Sequence, residues 1–156
     1  MKKIREILTF DRLLARPARF LPAVAMTAVL AGCGSMGMGM GSAGKVSLSG
    51  ANEVPAIVTT ATGSGMIRVA ADHTVSGSVS TTGIDGKAAH IHLAAKGSNG
   101  PVIVPLTKVA DGSWTVPEGA KLTDAQYASY VAGDMYVNVH SAANPAGEIR
   151  GQLSAN

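Results

Sequence analysis

From residue 46 to residue 153 apolar side chains recur at every second position in short runs broken by turn residues. Val46 and Leu48 alternate in KVSLSG, Ile67 and Val69 in GMIRVA, Val75 and Val79 in TVSGSVS, and Val102, Val104 and Leu106 in PVIVPLTK. A period of two marks strands with one face in a core and one outside it. Gly83-Ile84-Asp85-Gly86, Gly97 to Pro101 and Asp111-Gly112 supply the breaks. The spacing predicts an all-β fold, an antiparallel Greek-key-like sandwich or barrel. One stretch departs from the alternation. Thr123-Asp124-Ala125-Gln126 has the spacing of a capping box, Leu122 and Tyr127 suit a hydrophobic staple, and Gly133 suits a C-terminal stop. A single short helix over 124–132 is predicted there.

Two strands carry candidate chemistry. In AAHIHLAA, His90 and His92 share one face, about 7 Å apart along an extended strand, while Ile91 and Leu93 take the other. In Met135 to His140 the apolar Met135, Val137 and Val139 alternate with Tyr136, Asn138 and His140. If these strands lie close together, His90, His92 and His140 meet around one metal ion. The plainer reading makes them hydrogen-bonding residues on a solvated strand. Two histidines on one face, in a chain with four in all, favour ligation. His73 lies in the turn Ala71-Asp72-His73-Thr74, where a surface role is the default, and it completes a four-nitrogen site only if that turn folds over the cluster. Trp114, Tyr127, Tyr130 and Tyr136 are expected in packing roles.

The N-terminal segment changes the meaning of the composition. Lys2, Lys3, Arg5, Arg12, Arg16 and Arg19 form a basic region, Phe20 to Leu30 an apolar one, and Leu30-Ala31-Gly32-Cys33 closes it. Residues 1–32 therefore read as a secretory signal ending in a sequence similar to a bacterial lipobox, with Cys33 as the lipidated residue. An uncleaved anchor is the weaker reading, because the apolar run falls short of the roughly 20 residues that span a bilayer. With Gly34 in place of an aspartate, the lipobox resemblance implies, for a Gram-negative host, an outer-membrane anchor facing the periplasm of the cell envelope. Residues 33–45, with GSMGMGMGSAG, have the composition of a flexible tether. Met36, Met38 and Met40 also carry thioethers, soft ligands that favour Cu(I). The domain proper is expected over 46–156.

Of 13 basic and 10 acidic side chains, six and two lie in residues 1–33, which leaves seven against eight. The formal +3 of the full chain thus belongs to the export signal, and nucleic acid loses its electrostatic support as a partner. Cys33 is the only cysteine, so no disulfide forms within the chain and its core must hold the domain together. No serine stands in a nucleophile-elbow pattern and there is no phosphate loop. Glu53 and Glu148 are acids without surroundings that recommend glycoside hydrolysis.

LSGANEVP at 48–55, GKAAHIHLAAKGSNGPVIVPL at 86–106 and YVNVHSAANPAGEIRGQL at 136–153 together resemble the CHRD, or chordin-type, domain. The resemblance runs from about Val46 to Leu153 and implies a compact β-rich domain, leaving the activity open. Asn144 stands where bacterial relatives often carry a further histidine, so the resemblance supplies no fourth protein ligand. The H-x-H strand and the distant V-H strand are also similar to the copper half of copper–zinc superoxide dismutases. That similarity implies one copper ion, mononuclear, because the histidines and aspartate of a separate zinc site are missing. It makes superoxide a candidate substrate, with Arg150 of GEIRGQL steering the anion and Glu148 orienting an imidazole. The alternative is an Arg150–Glu148 ion pair tying the last strand to Asn52-Glu53. Three functions remain open: a copper-dependent dismutase, a copper-binding or copper-buffering protein without turnover, and an envelope interaction module with structural histidines.

Overall fold

The computed structural model describes residues 43–155, and their alternating segments form nine strands and one α-helix. The strands are β1 (Ala43–Ser49), β2 (Thr62–Val69), β3 (Val75–Thr82), β4 (Gly86–Leu93), β5 (Val102–Pro105), β6 (Thr107–Ala110), β7 (Ser113–Thr115), β8 (Met135–Ser141) and β9 (Ile149–Leu153). Helix α1 (Asp124–Ala132) lies between β7 and β8. The signal segment, Cys33 and the tether up to residue 42 lie outside the described residues. β1 begins before the expected domain boundary, because Ala43, Gly44 and Lys45 pair with Arg68, Ile67 and Met66. Small residues read as linker by composition, yet their backbone pairs like any other once a strand edge is beside it. Among the described residues no helix is long and apolar enough to cross a membrane.

The strands form one sheet in the order β5-β4-β8-β9-β1-β2-β3-β7-β6, with antiparallel neighbours throughout. Its two outermost strands are consecutive pieces of one extended segment, separated only by Leu106. The Leu106 N–H donates to the Ala89 carbonyl of β4 at 2.9 Å. Residues 102–110 therefore pass from pairing with β4 to pairing with β7, and draw the ends of the sheet into a nearly closed barrel. Closure leaves little free edge for another chain to pair with. Of the expected antiparallel sandwich or barrel with one short helix, a nearly closed barrel is observed.

Val46, Ile67, Val79, Ile91, Trp114, Val137, Val139 and Ile149 fill the interior. In β1 the alternation is plain, with Val46 and Leu48 buried and Lys45 and Ser47 exposed. β8 and β9 differ, since their outward residues Tyr136, Asn138 and Arg150 are also at most 2% exposed. Turns after β1, β4 and β8 cover them, tied by an Asn99 amide donating to Val54 O at 2.7 Å and a Thr59 hydroxyl donating to Glu148 at 2.8 Å. One side of the barrel therefore has a second, polar layer.

The helix forms where its caps dictate. The Gln126 N–H donates to Thr123 Oγ1 at 3.2 Å, and Gln126 Oε1 accepts from the Thr123 N–H at 2.8 Å. Gly133 ends the helix with φ +82°, a left-handed geometry that glycine adopts without a Cβ penalty. Thr123→Ala is expected to cost about 1 kcal/mol, read as a lower urea midpoint at unchanged slope.

Candidate metal centre

β4 and β8 are neighbours, with His90 opposite Asn138, His92 opposite Tyr136 and His140 opposite Ala88. In that register His140 is the diagonal neighbour of His90 on the outer face. A register shift between β4 and β5 falls at Ile91 and His92, beside the second imidazole. The ring centroids lie 4.8 Å apart for His90 and His140, 5.6 Å for His90 and His92, and 6.0 Å for His92 and His140. One ring nitrogen from each lies within 4.8 Å of the others. His90 Nδ1 and His140 Nε2 are 3.0 Å apart. The contact is a hydrogen bond, with His90 Nδ1–H donating to His140 Nε2, and since two nitrogens on one tetrahedral zinc or copper ion sit about 3.3 Å apart, an ion that displaced this shared proton would need only a small separation of the rings. The three residues expected to converge do so, and their donor set can hold a metal ion.

The outer shell fixes which nitrogens are available. His92 Nδ1 lies 2.9 Å from Gly100 O, and His140 Nδ1 lies 3.0 Å from Pro145 O. A carbonyl only accepts, so each Nδ1 carries the proton and each Nε2 keeps its lone pair. His92 is 8% exposed, and its Nε2 is buried without a hydrogen-bond partner. Buried polar atoms are seldom left so, and a lone pair beside two other imidazoles fits a cation. Burial, then the neighbouring His140 and His92, hold His90 below the ordinary imidazole value of 6.5. Burial also lowers His92, helped by His140 and Arg150 and opposed by the Gly100 carbonyl. Depressed values keep both rings neutral, the form that binds metal. Protons should therefore displace a bound ion only below pH 6.5. A pH titration of metal release whose midpoint lies above 6.5 would contradict this.

Tyr136 links the cluster to Arg150. From the β4 side the His92 ring stacks on it at 4.8 Å and 9°; from the β9 side the Arg150 guanidinium lies 3.4 Å from its centroid. The Gly100 N–H donates to the Tyr136 hydroxyl at 3.3 Å, so one residue anchors both His92 and Tyr136. Arg150 is 1% exposed and donates to Asn99 Oδ1 at 3.2 Å and Gln152 Oε1 at 3.4 Å. Its charge is a fixed, buried one beside Tyr136, and it makes no ion pair with Glu148. The last strand is tied to the turn after β1 by the Asn52 amide, which donates to Arg150 O at 3.1 Å.

Glu148 does not orient an imidazole. Its oxygens accept from the hydroxyls of Ser141 and Thr59, and these bonds, Ser141 first, hold its carboxyl below the usual range. The carbonyls of Gly100 and Pro145 occupy the position expected of it. His73 is apart from the cluster: with φ +70° in its turn, it stacks on Tyr127 at 4.2 Å and lies 3.4 Å from Asp124 at the start of α1. Glu53 is buried, accepts from the Asn138 amide at 3.2 Å, and is pushed up to about 7 by burial against the opposing pull of Arg150.

The orienting carbonyls escaped sequence reasoning because backbone groups leave no residue-type signal. Tyr136 had one, since it alternates with Asn138 and His140 in MYVNVH. A family model described as the CHRD domain matches residues 45–153. No curated protein and no solved structure matches the chain.

Proposed function

This chain belongs to the CHRD domain family, and because that membership defines a domain rather than a reaction, we propose its function from the histidine cluster. The protein is an exported, copper-binding lipoprotein in which His90, His92 and His140 hold one ion. The observation that carries the reading is the buried, unpartnered Nε2 of His92 beside two further imidazoles. Imidazole suits copper and zinc alike, and the divalent affinity order places Cu(II) first at a nitrogen site. His90 and His140 are only partly buried, so the cluster has an accessible side. A lipid on Cys33 would hold the domain at the cell envelope, on the periplasmic face of an outer membrane.

A second reading makes the site a superoxide dismutase. Copper supplies one-electron redox chemistry, so that two superoxide anions and two protons give dioxygen and hydrogen peroxide. What favours it is the buried Arg150 cation, whose field reaches His92 and attracts anions toward the cluster.

Copper titration of the purified protein, with EPR of the Cu(II) form and a superoxide-decay assay on the same sample, tests both. Stoichiometric binding with a nitrogen-ligated type 2 signal supports the copper site, and fast decay that slows with added salt supports turnover. The same signal without decay leaves a copper carrier. Absence of tight copper binding retires the site and favours an interaction module.

A further inference from the structure

A recess of about 390 Å³ lies between the turn after β1 and the loop after β4, lined among others by Ser47, Asn52, Glu53, Lys96, Arg150 and Gln152. None of the three clustered histidines lines it. We propose that this recess binds a small hydroxylated carboxylate, of the hydroxy-acid or sugar-acid class, with its carboxylate on Arg150 and Lys96 and a hydroxyl on Glu53 Oε1.

Arg150 carries the first half of the argument. It is 1% exposed, yet no carboxylate lies within ion-pair distance of it among the described residues. A buried cation with no carboxylate in direct contact is costly: Glu53 is near enough to feel its charge but not to pair with it, and besides the Tyr136 face two of its five N–H donors reach the neutral Asn99 and Gln152. The guanidinium fork matches a carboxylate in two-point geometry. Lys96, exposed at the rim, adds a second positive charge. Two cations against one carboxyl select an anion.

Glu53 carries the second half. It is 7% exposed, it lines the recess, and its Oε1 is buried with no partner. A ligand hydroxyl can donate to that oxygen when the carboxyl is ionised and accept from it when protonated, which an ammonium cannot. The volume lies at the small end of the roughly 300–1,000 Å³ of ligand sites, enough for one ring and not for a chain of them.

The test uses metal-free protein, so that its outcome is independent of the copper reading. D-glucuronate, its uncharged methyl ester and acetate are each titrated by calorimetry. Expected is saturable one-to-one binding of glucuronate, with the ester and acetate at least about 10-fold weaker. Lys96→Ala, a surface change that spares the fold, should weaken glucuronate about 3- to 10-fold. Arg150→Lys, which keeps the charge and loses the fork, should weaken it about 10-fold or more. No saturation by about 10 mM glucuronate overturns the proposal, as does an ester or acetate that binds equally well, or a Lys96→Ala protein that binds unchanged.

Discussion

His92→Ala is expected to abolish tight Cu(II) binding while leaving the barrel folded. The substitution removes one of three nitrogens, so the loss should exceed the roughly 10- to 100-fold that removing an outer hydrogen-bond partner costs a metal site. The fold should survive because the β4 residues that face the core are Ala89 and Ile91, both 1% exposed, and neither is altered. The change also deletes a stacked ring from Tyr136 and frees the Gly100 carbonyl, a local cost on the order of 1–2 kcal/mol. Copper titration paired with far-ultraviolet circular dichroism separates the two effects. If the variant binds copper as tightly as the parent, the cluster is not the site; if it loses its β signal without metal, His92 is structural.

Gly147→Ala is expected to destabilise the protein by about 2–4 kcal/mol. Gly147 has φ +136°, and a Cβ there would lie 2.4, 2.7 and 2.9 Å from Nδ2, Oδ1 and Cγ of Asn138. Asn138 is 2% exposed and held to Glu53, so it cannot swing away. The same turn presents Pro145 O to His140, so displacing it should also weaken metal binding. Gly119→Ala is the control: it too has positive φ, at +76°, but a Cβ there meets nothing within 4 Å. Its cost should stay near about 1 kcal/mol. Equal urea midpoints for the two variants would show that backbone strain alone, and not the contact with Asn138, sets the effect.

Local signals were the legible ones. The capping box at Thr123 and Gln126 located α1 to the residue, and the period-two runs located the strands other than β6 and the three-residue β7, whose Trp114 carried only a packing expectation. PVIVPLTK read as one strand because Val102, Val104 and Leu106 keep their alternation. Its division into β5 and β6 depends on which neighbour accepts each half, which is a property of the closed sheet. His90 and His92 shared a face by strand geometry, but their meeting with His140 required β4 and β8 to be adjacent in space though 50 residues separate His90 from His140. The burial of Arg150 was hidden for a further reason. Its strand alternates as an ordinary half-exposed one does, and the cover over its outer face comes from turns whose positions no periodicity encodes.

The place of β1 in the sheet gives the domain a direction. The described chain enters at Ala43, and the ladder joins Ser49 to Arg150, Arg150 to Asn138, and Asn138 to His90. The row of paired residues that carries the first histidine thus meets β1 at its last residue. Between Ala43 and Ser49 the strand advances about 20 Å. The seven residues of β1, paired along their length with β2, thus set the histidine-bearing row at the far end of the strand from the point where the described chain enters the sheet.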